Sequence, residues 1–203
     1  MRLSLNEHSV NEGRLTRRQH AEARRVQLID TALEVFAAKG LDAATVKDLS
    51  EAAGVAEGLL YHYFRSKEDL LRAALERHYF LPELRRLASP DRDRPAGEVL
   101  LEVGRGFGAM LRERRPLLQV MVREAPTNPA VAERVERARR EGVRLISEYL
   151  ASRVAAGELR PHDTQATARL FLFAVLMAHL TDSLDAQFLA SVVETILHGV
   201  AGR

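Results

Sequence analysis

The chain has 203 residues, 46% of them hydrophobic but only 5% aromatic, and carries a formal net charge of +2. That apolar share excludes disorder throughout, and the shortage of rings leaves a Leu, Val and Ala core that suits helix packing better than short strands. Without cysteine there is no disulfide framework, thiolate zinc site or cysteine nucleophile, and the composition fits a reducing cytoplasm.

Residues 1–23 read as a basic N-terminal arm with no signal pattern, since Asn6, Glu7 and His8 interrupt any apolar run early. Between Arg14 and Arg25, the arginines Arg14, Arg17, Arg18, Arg24 and Arg25 stand against one acid, Glu22. Such a cluster attracts phosphate even in a nearly neutral chain; the alternative is a solvated, frayed terminus. A first helix is expected from about Thr16 to Lys39, with Val26, Ile29, Leu33, Phe36 and Ala37 on one face. Gly40 supplies a stop, with Leu41 as the apolar contact beyond it.

Thr45 and Asp48 form a capping box that opens a short second helix ending near Gly54. A third helix runs from about Ala56 to Tyr63. Lys67 opens a fourth that reaches about Phe80, where Pro82 ends or kinks it. Residues 24–80 are read as one domain and residues 81–203 as another, with Ser89 to Pro95 the clearest linker. Five more helices follow, near Gly97–Glu113, Pro116–Ala125, Pro129–Ala155, Asp163–Thr181 and Leu184–Val200. Asp163 and one of Asp182 or Ser183 would cap the last two. The longest apolar run, Leu170 to Ala178, falls well short of the ~20 residues that span a bilayer, so no membrane partner is expected.

Two short helices joined at a glycine present one face of the second to a major groove, and Ala52, Ala53 and Gly54 permit that close crossing. The run Gly54-Val55-Ala56-Glu57-Gly58-Leu59-Leu60-Tyr61-His62-Tyr63-Phe64-Arg65-Ser66-Lys67-Glu68-Asp69-Leu70 closely resembles the recognition-helix signature of the tetracycline-repressor (TetR) family. There a glycine, an aliphatic, a Tyr-x-(Tyr/His)-Phe run and a Lys-x-x-Leu recur at these intervals. The spacing of Phe36, Gly40 and Thr45 matches as well. The resemblance covers about Arg24 to Leu75 and continues more weakly through Ala156 to Pro161.

The resemblance implies an all-α fold: an N-terminal three-helix helix-turn-helix DNA-binding domain and a C-terminal helical ligand-binding and dimerisation domain. The function it implies is a ligand-responsive regulator, most simply a repressor, binding a palindromic operator as a homodimer. It implies no enzyme, cofactor or metal. Thr45 would offer a hydroxyl and free backbone N–H groups to a phosphate. Gly58 would let the backbone approach base edges. Tyr61, His62 and Tyr63 would supply donors and flat faces, with core-edge packing the alternative for the tyrosines and a surface histidine of no special role the alternative for His62. Lys67 is the expected phosphate contact. Leu60 and Phe64 face inward by the resemblance.

Three positions depart from the family pattern. Ala56 stands where a capping Ser is usual, which weakens the helix start by ~1 kcal/mol. Glu57 repels phosphate but can accept from a cytosine amino group. Leu59 replaces a small or polar base-facing residue. These choices keep an alternative open, an interaction or co-regulator protein of the same fold without sequence-specific DNA binding.

The last two helices are apolar on nearly every side, which requires burial all round. The family joins them into a four-helix dimer interface, so Phe171, Val175, Phe188, Val192 and Ile196 are expected there; a purely intrachain core is the alternative. Val103, Phe107, Met110, Met121 and Tyr149 are candidates to line an effector pocket, or are ordinary core. Few aromatics disfavour a cage for a cationic drug, and ample arginine favours an anionic or acyl-tailed effector. The glycine run at Gly104, Gly106 and Gly108 follows no strand and reads as close helix packing. His179 with Asp182, and Glu194 with His198, lack a third ligand for a metal.

Overall fold

The computed structural model describes residues 16–87 and 94–199. Among them all regular structure is helical: α1 (Arg17–Lys39), α2 (Val46–Ala53), α3 (Glu57–Tyr63), α4 (Lys67–Arg77), α5 (Leu81–Leu87), α6 (Ala96–Glu113), α7 (Arg115–Glu124), α8 (Pro129–Ala155), α9 (Thr164–Leu180) and α10 (Ala186–His198). No helix here is long and apolar enough to cross a membrane. Arg14, most of the Ser89–Pro95 linker and Val200 lie outside the described residues.

Local capping sets most helix starts. Thr16 and Gln19 form a reciprocal box, so the basic stretch from Arg17 onward is the first turns of α1. Asn128 and Asp163 cap α8 and α9 with their side chains. Two boundaries differ from the sequence expectation. The fourth helix stops at Arg77, and Pro82 falls in the first turn of the separate α5, where a missing N–H leaves no bond unmade. Asp185, not Asp182 or Ser183, caps α10. Asp182 instead ends α9 with a φ of 52°, a left-handed turn that Asp tolerates better than most residues, while Ser183 N–H bonds Ala178 O at 2.8 Å.

The buried side chains form two clusters. The first joins α1 to α4 around Phe36, Leu49, Leu60 and Leu70, and α7 closes it with Leu117, Val120 and Met121. The second joins α6, α8, α9 and α10 around Leu100, Ile146, Phe171 and Val175. The start of α6 is pinned to α8. Pro95 offers no side-chain cap, so Glu158, presented by the turn at Gly157, accepts from Ala96 N–H at 2.6 Å. The Tyr149 hydroxyl donates to Arg94 O at 3.0 Å, and burial pushes that phenol up to about 12, which keeps it a donor. Two glycines of α6 allow close packing: a Cβ at Gly104 would sit 2.5 Å from Leu189 Cδ1 of α10, and one at Gly108 2.6 Å from Leu184 Cδ2, just before α10.

Candidate nucleic-acid interface

Thr45 starts α2 with a reciprocal box: its hydroxyl accepts from Asp48 N–H at 3.0 Å and Asp48 Oδ2 accepts from Thr45 N–H at 2.9 Å. Lys39 Nζ reaches the other carboxylate oxygen at 2.6 Å. The Lys39 bond first, then the Thr45 amide and hydroxyl, hold the Asp48 carboxyl at about 2. The Thr45 hydroxyl proton remains exposed beside the first-turn amides of Val46 and Lys47, which have no acceptor within the helix. Exposed Lys47, next to the cap, is a cation that the sequence reading missed; its position beside an N-cap was the available signal.

Gly54 closes α2 in the left-handed region, φ 64° and ψ 38°, and Val55 N–H returns to Ser50 O at 2.9 Å. The chain then turns into α3. Leu60 and Phe64 are buried, and the Arg25 guanidinium sits 5.4 Å over the Phe64 ring. Tyr63 is half-buried against the first cluster, which accords with core-edge packing for this ring, and Leu59 is half-buried too. On the outer face Glu57, Gly58, Tyr61 and His62 are exposed, Tyr61 at 56%. A Cβ added at Gly58 would meet nothing within 4 Å. As expected, Ala56 makes no side-chain cap bond.

Lys67 is engaged within the chain. Its ammonium donates to the carbonyls of Leu41 at 2.9 Å, Asp42 at 3.3 Å and Ala44 at 2.7 Å. All three of its protons are thereby engaged within the chain. These bonds make Lys67 a strut under the α1–α2 loop.

Two proposed interface residues need correcting. Phe171 and Val175 are fully buried in the second cluster against the chain's own helices, so they have no surface left for a second subunit. The exposed apolar side chains of α9 are Leu170 at 68%, Phe173 at 62%, Met177 and Leu180. Phe188, Val192 and Ile196 of α10 are half-buried. The five pocket candidates do not converge. Val103 and Tyr149 belong to the second cluster and Phe107 packs on it, whereas Met121 belongs to the first; Met110 is buried. Surface clefts between α8 and α9, and between α4 and the start of α8, are lined by none of the five. No group of three His, Asp or Glu among the described residues is arranged to hold a metal.

Residues 28–74 match the family described as "Bacterial regulatory proteins, tetR family". Residues 98–196 match "AefR-like transcriptional repressor, C-terminal domain". The HTH-type transcriptional repressor KstR2 of Rhodococcus jostii is 50% identical over 48 residues, 24% of each chain. Such curated relatives are thus matched over about a quarter of their length. Among solved structures, FadR from Bacillus subtilis in complex with stearoyl-CoA shares the fold at 22% identity and TM-score 0.65, over 87% of this chain and 99% of that one. PfmR from Thermus thermophilus does so at 21% identity and TM-score 0.70, over 86% and 99%.

Proposed function

The chain belongs to the tetR family of bacterial regulatory proteins, and we propose that it is a homodimeric, ligand-responsive repressor that reads a palindromic operator with α3. The observation that carries this reading is the division of α3 into two faces. Leu60 and Phe64 anchor it to the head, while Glu57, Gly58, Tyr61 and His62 stand in solvent. A short helix presented in this way fits a major groove. Thr45, Lys47 and the first-turn amides of α2 then hold the flanking phosphates, and the exposed Arg17, Arg18 and Arg24 of α1 add attraction that carries no sequence information.

The second subunit covers the exposed seam of α9. Leu170, Phe173, Met177 and Leu180 recur at three-four-three spacing, a row that a symmetric partner buries against its own copy. An anionic or acyl-tailed effector remains the favoured class, supported by the stearoyl-CoA bound to the structural neighbour from Bacillus subtilis.

A second reading, a protein of this fold that binds no specific DNA, is favoured by one observation: the exposed carboxylate of Glu57 in the first turn of α3, which faces a polyanion unfavourably. Selection from a random pool of duplexes separates the two. The repressor reading expects a palindrome to be enriched; a pool that stays random contradicts it.

A further inference from the structure

The groove between α8 and α9 has a volume of about 300 Å³, and Arg139, Arg140, Arg144 and Arg169 line it over a floor of Val143 and Ser147. Glu148 is the carboxylate in that lining, and it is already engaged by Arg144 Nη1 at 2.7 Å. Arg144 also grips Glu141 through Nε at 3.1 Å and Nη2 at 3.0 Å. With Arg85 on its other side, Glu141 is held at about 2. Arg139 takes both oxygens of Glu136, each at 2.7 Å. The acids around the groove are therefore occupied by two of the four guanidinium groups.

The other two are not matched. Arg140 comes no nearer to Glu136 than 3.7 Å, an acid that Arg139 already holds. Arg169, across the groove on α9, forms no ion pair among the described residues; it influences Glu136 only at longer range. Two planar forks facing a partly enclosed space suit an oxyanion that accepts paired hydrogen bonds. The volume exceeds what a bare phosphate fills, and the Gln165 amide in the lining can serve a neutral polar group.

We propose that the α8–α9 groove, through Arg140 and Arg169, binds the phosphate of a small phosphate ester. Its place in regulation rests on the repressor reading, because Arg169 directly precedes Leu170 on the seam assigned to the second subunit. Occupancy itself does not depend on that reading and is measured without DNA.

The test is calorimetric titration of the full chain at low ionic strength with ADP, adenosine and inorganic phosphate. ADP is expected to saturate at one per chain, adenosine to give no binding, and inorganic phosphate to bind more weakly than ADP. Arg140→Ala and Arg169→Ala each lose about tenfold or more in ADP affinity, as expected for a lost charge-assisted hydrogen bond. Arg105→Ala, an exposed change on α6, binds as the unchanged chain does. Thermal melts confirm that the variants are folded. A flat ADP titration, adenosine or inorganic phosphate matching ADP, or unchanged affinity in both groove variants overturns the proposal. Failure to bind any operator would count against the repressor reading and leave the groove result standing.

Discussion

The Leu41 N–H donates to Glu124 Oε1 at 2.9 Å, a buried bond between residues 83 apart. Glu124 is only 7% exposed and comes from the last turn of α7. On its other side, Leu41 gives its carbonyl to Lys67. A Cβ at Gly40, where φ is +84°, would lie 3.1 Å from Arg123 Cδ. The loop between α1 and α2 is thus gripped by α7 and by the first residue of α4, and it ends at Thr45. Whatever moves α7 bears on the start of α2.

Glu124→Ala leaves the Leu41 N–H buried without an acceptor, so a loss of about 1–3 kcal/mol in unfolding free energy is expected. Glu124→Gln keeps an acceptor oxygen in place and recovers much of that loss. Urea unfolding measures both, and equal losses would contradict the role given to this bond.

Lys67→Ala removes the donor to three carbonyls. Lower stability and weaker operator binding are both expected. The slope of log affinity against log salt stays unchanged, whereas loss of a phosphate contact reduces that slope by about one. Anisotropy titrations over a range of salt distinguish these outcomes.

Gly58→Ala separates folding from binding. The space beside Gly58 is empty, and alanine favours a helix by up to about 1 kcal/mol over glycine. The variant is expected to melt no lower than the unchanged chain while binding operator more weakly, because the methyl group stands where the backbone meets DNA. Undiminished binding would contradict that close approach.

Asp48 sets an acid limit on the head. Its carboxyl is held at about 2 against an ordinary 3.8. Its contribution is therefore present above the ordinary value and lost as pH falls through the lowered one. Asp48→Asn is expected to flatten the fall in stability between pH of about 4 and about 2 and to be the less stable protein above that window. Circular-dichroism melts across the window check this, and parallel curves would refute it.

Phe173→Glu places charge on the exposed seam of α9, and a folded monomer is expected in sedimentation. Phe171→Ala, one helix face away and fully buried, is expected instead to lose about 3–5 kcal/mol of stability. A dimer that survives Phe173→Glu would remove the seam from the interface.

The contrast within α9 marks the limit of the sequence. Ala168, Phe171, Val175 and Ala178 form one three-four-three row, and Leu170, Phe173, Met177 and Leu180 form another on the opposite face. Periodicity alone does not say which of two wholly apolar rows turns inward. Packing puts the one with alanine at both ends inward. The intrachain bonds of Lys67 were hidden for a different reason: its acceptors lie in a loop 23 to 26 residues earlier, and only tertiary structure gathers them. Caps were legible at Thr45 with Asp48 and at Asp163, but not at α10, where Asp182, Ser183 and Asp185 all compete within four residues. On α3 the motif made the anchors Leu60 and Phe64 legible, whereas Leu59 and Tyr63, expected at the DNA face, are half-buried.

The most direct test is protection of guanine N7 from methylation on the selected operator, since N7 lies in the major groove. The expected pattern is two symmetric protected clusters about one helical turn apart, ~34–36 Å between centres, both lost with Gly58→Ala. One cluster, none, or a pattern indifferent to Gly58→Ala would contradict the assignment of α3 as the element that two subunits place in DNA.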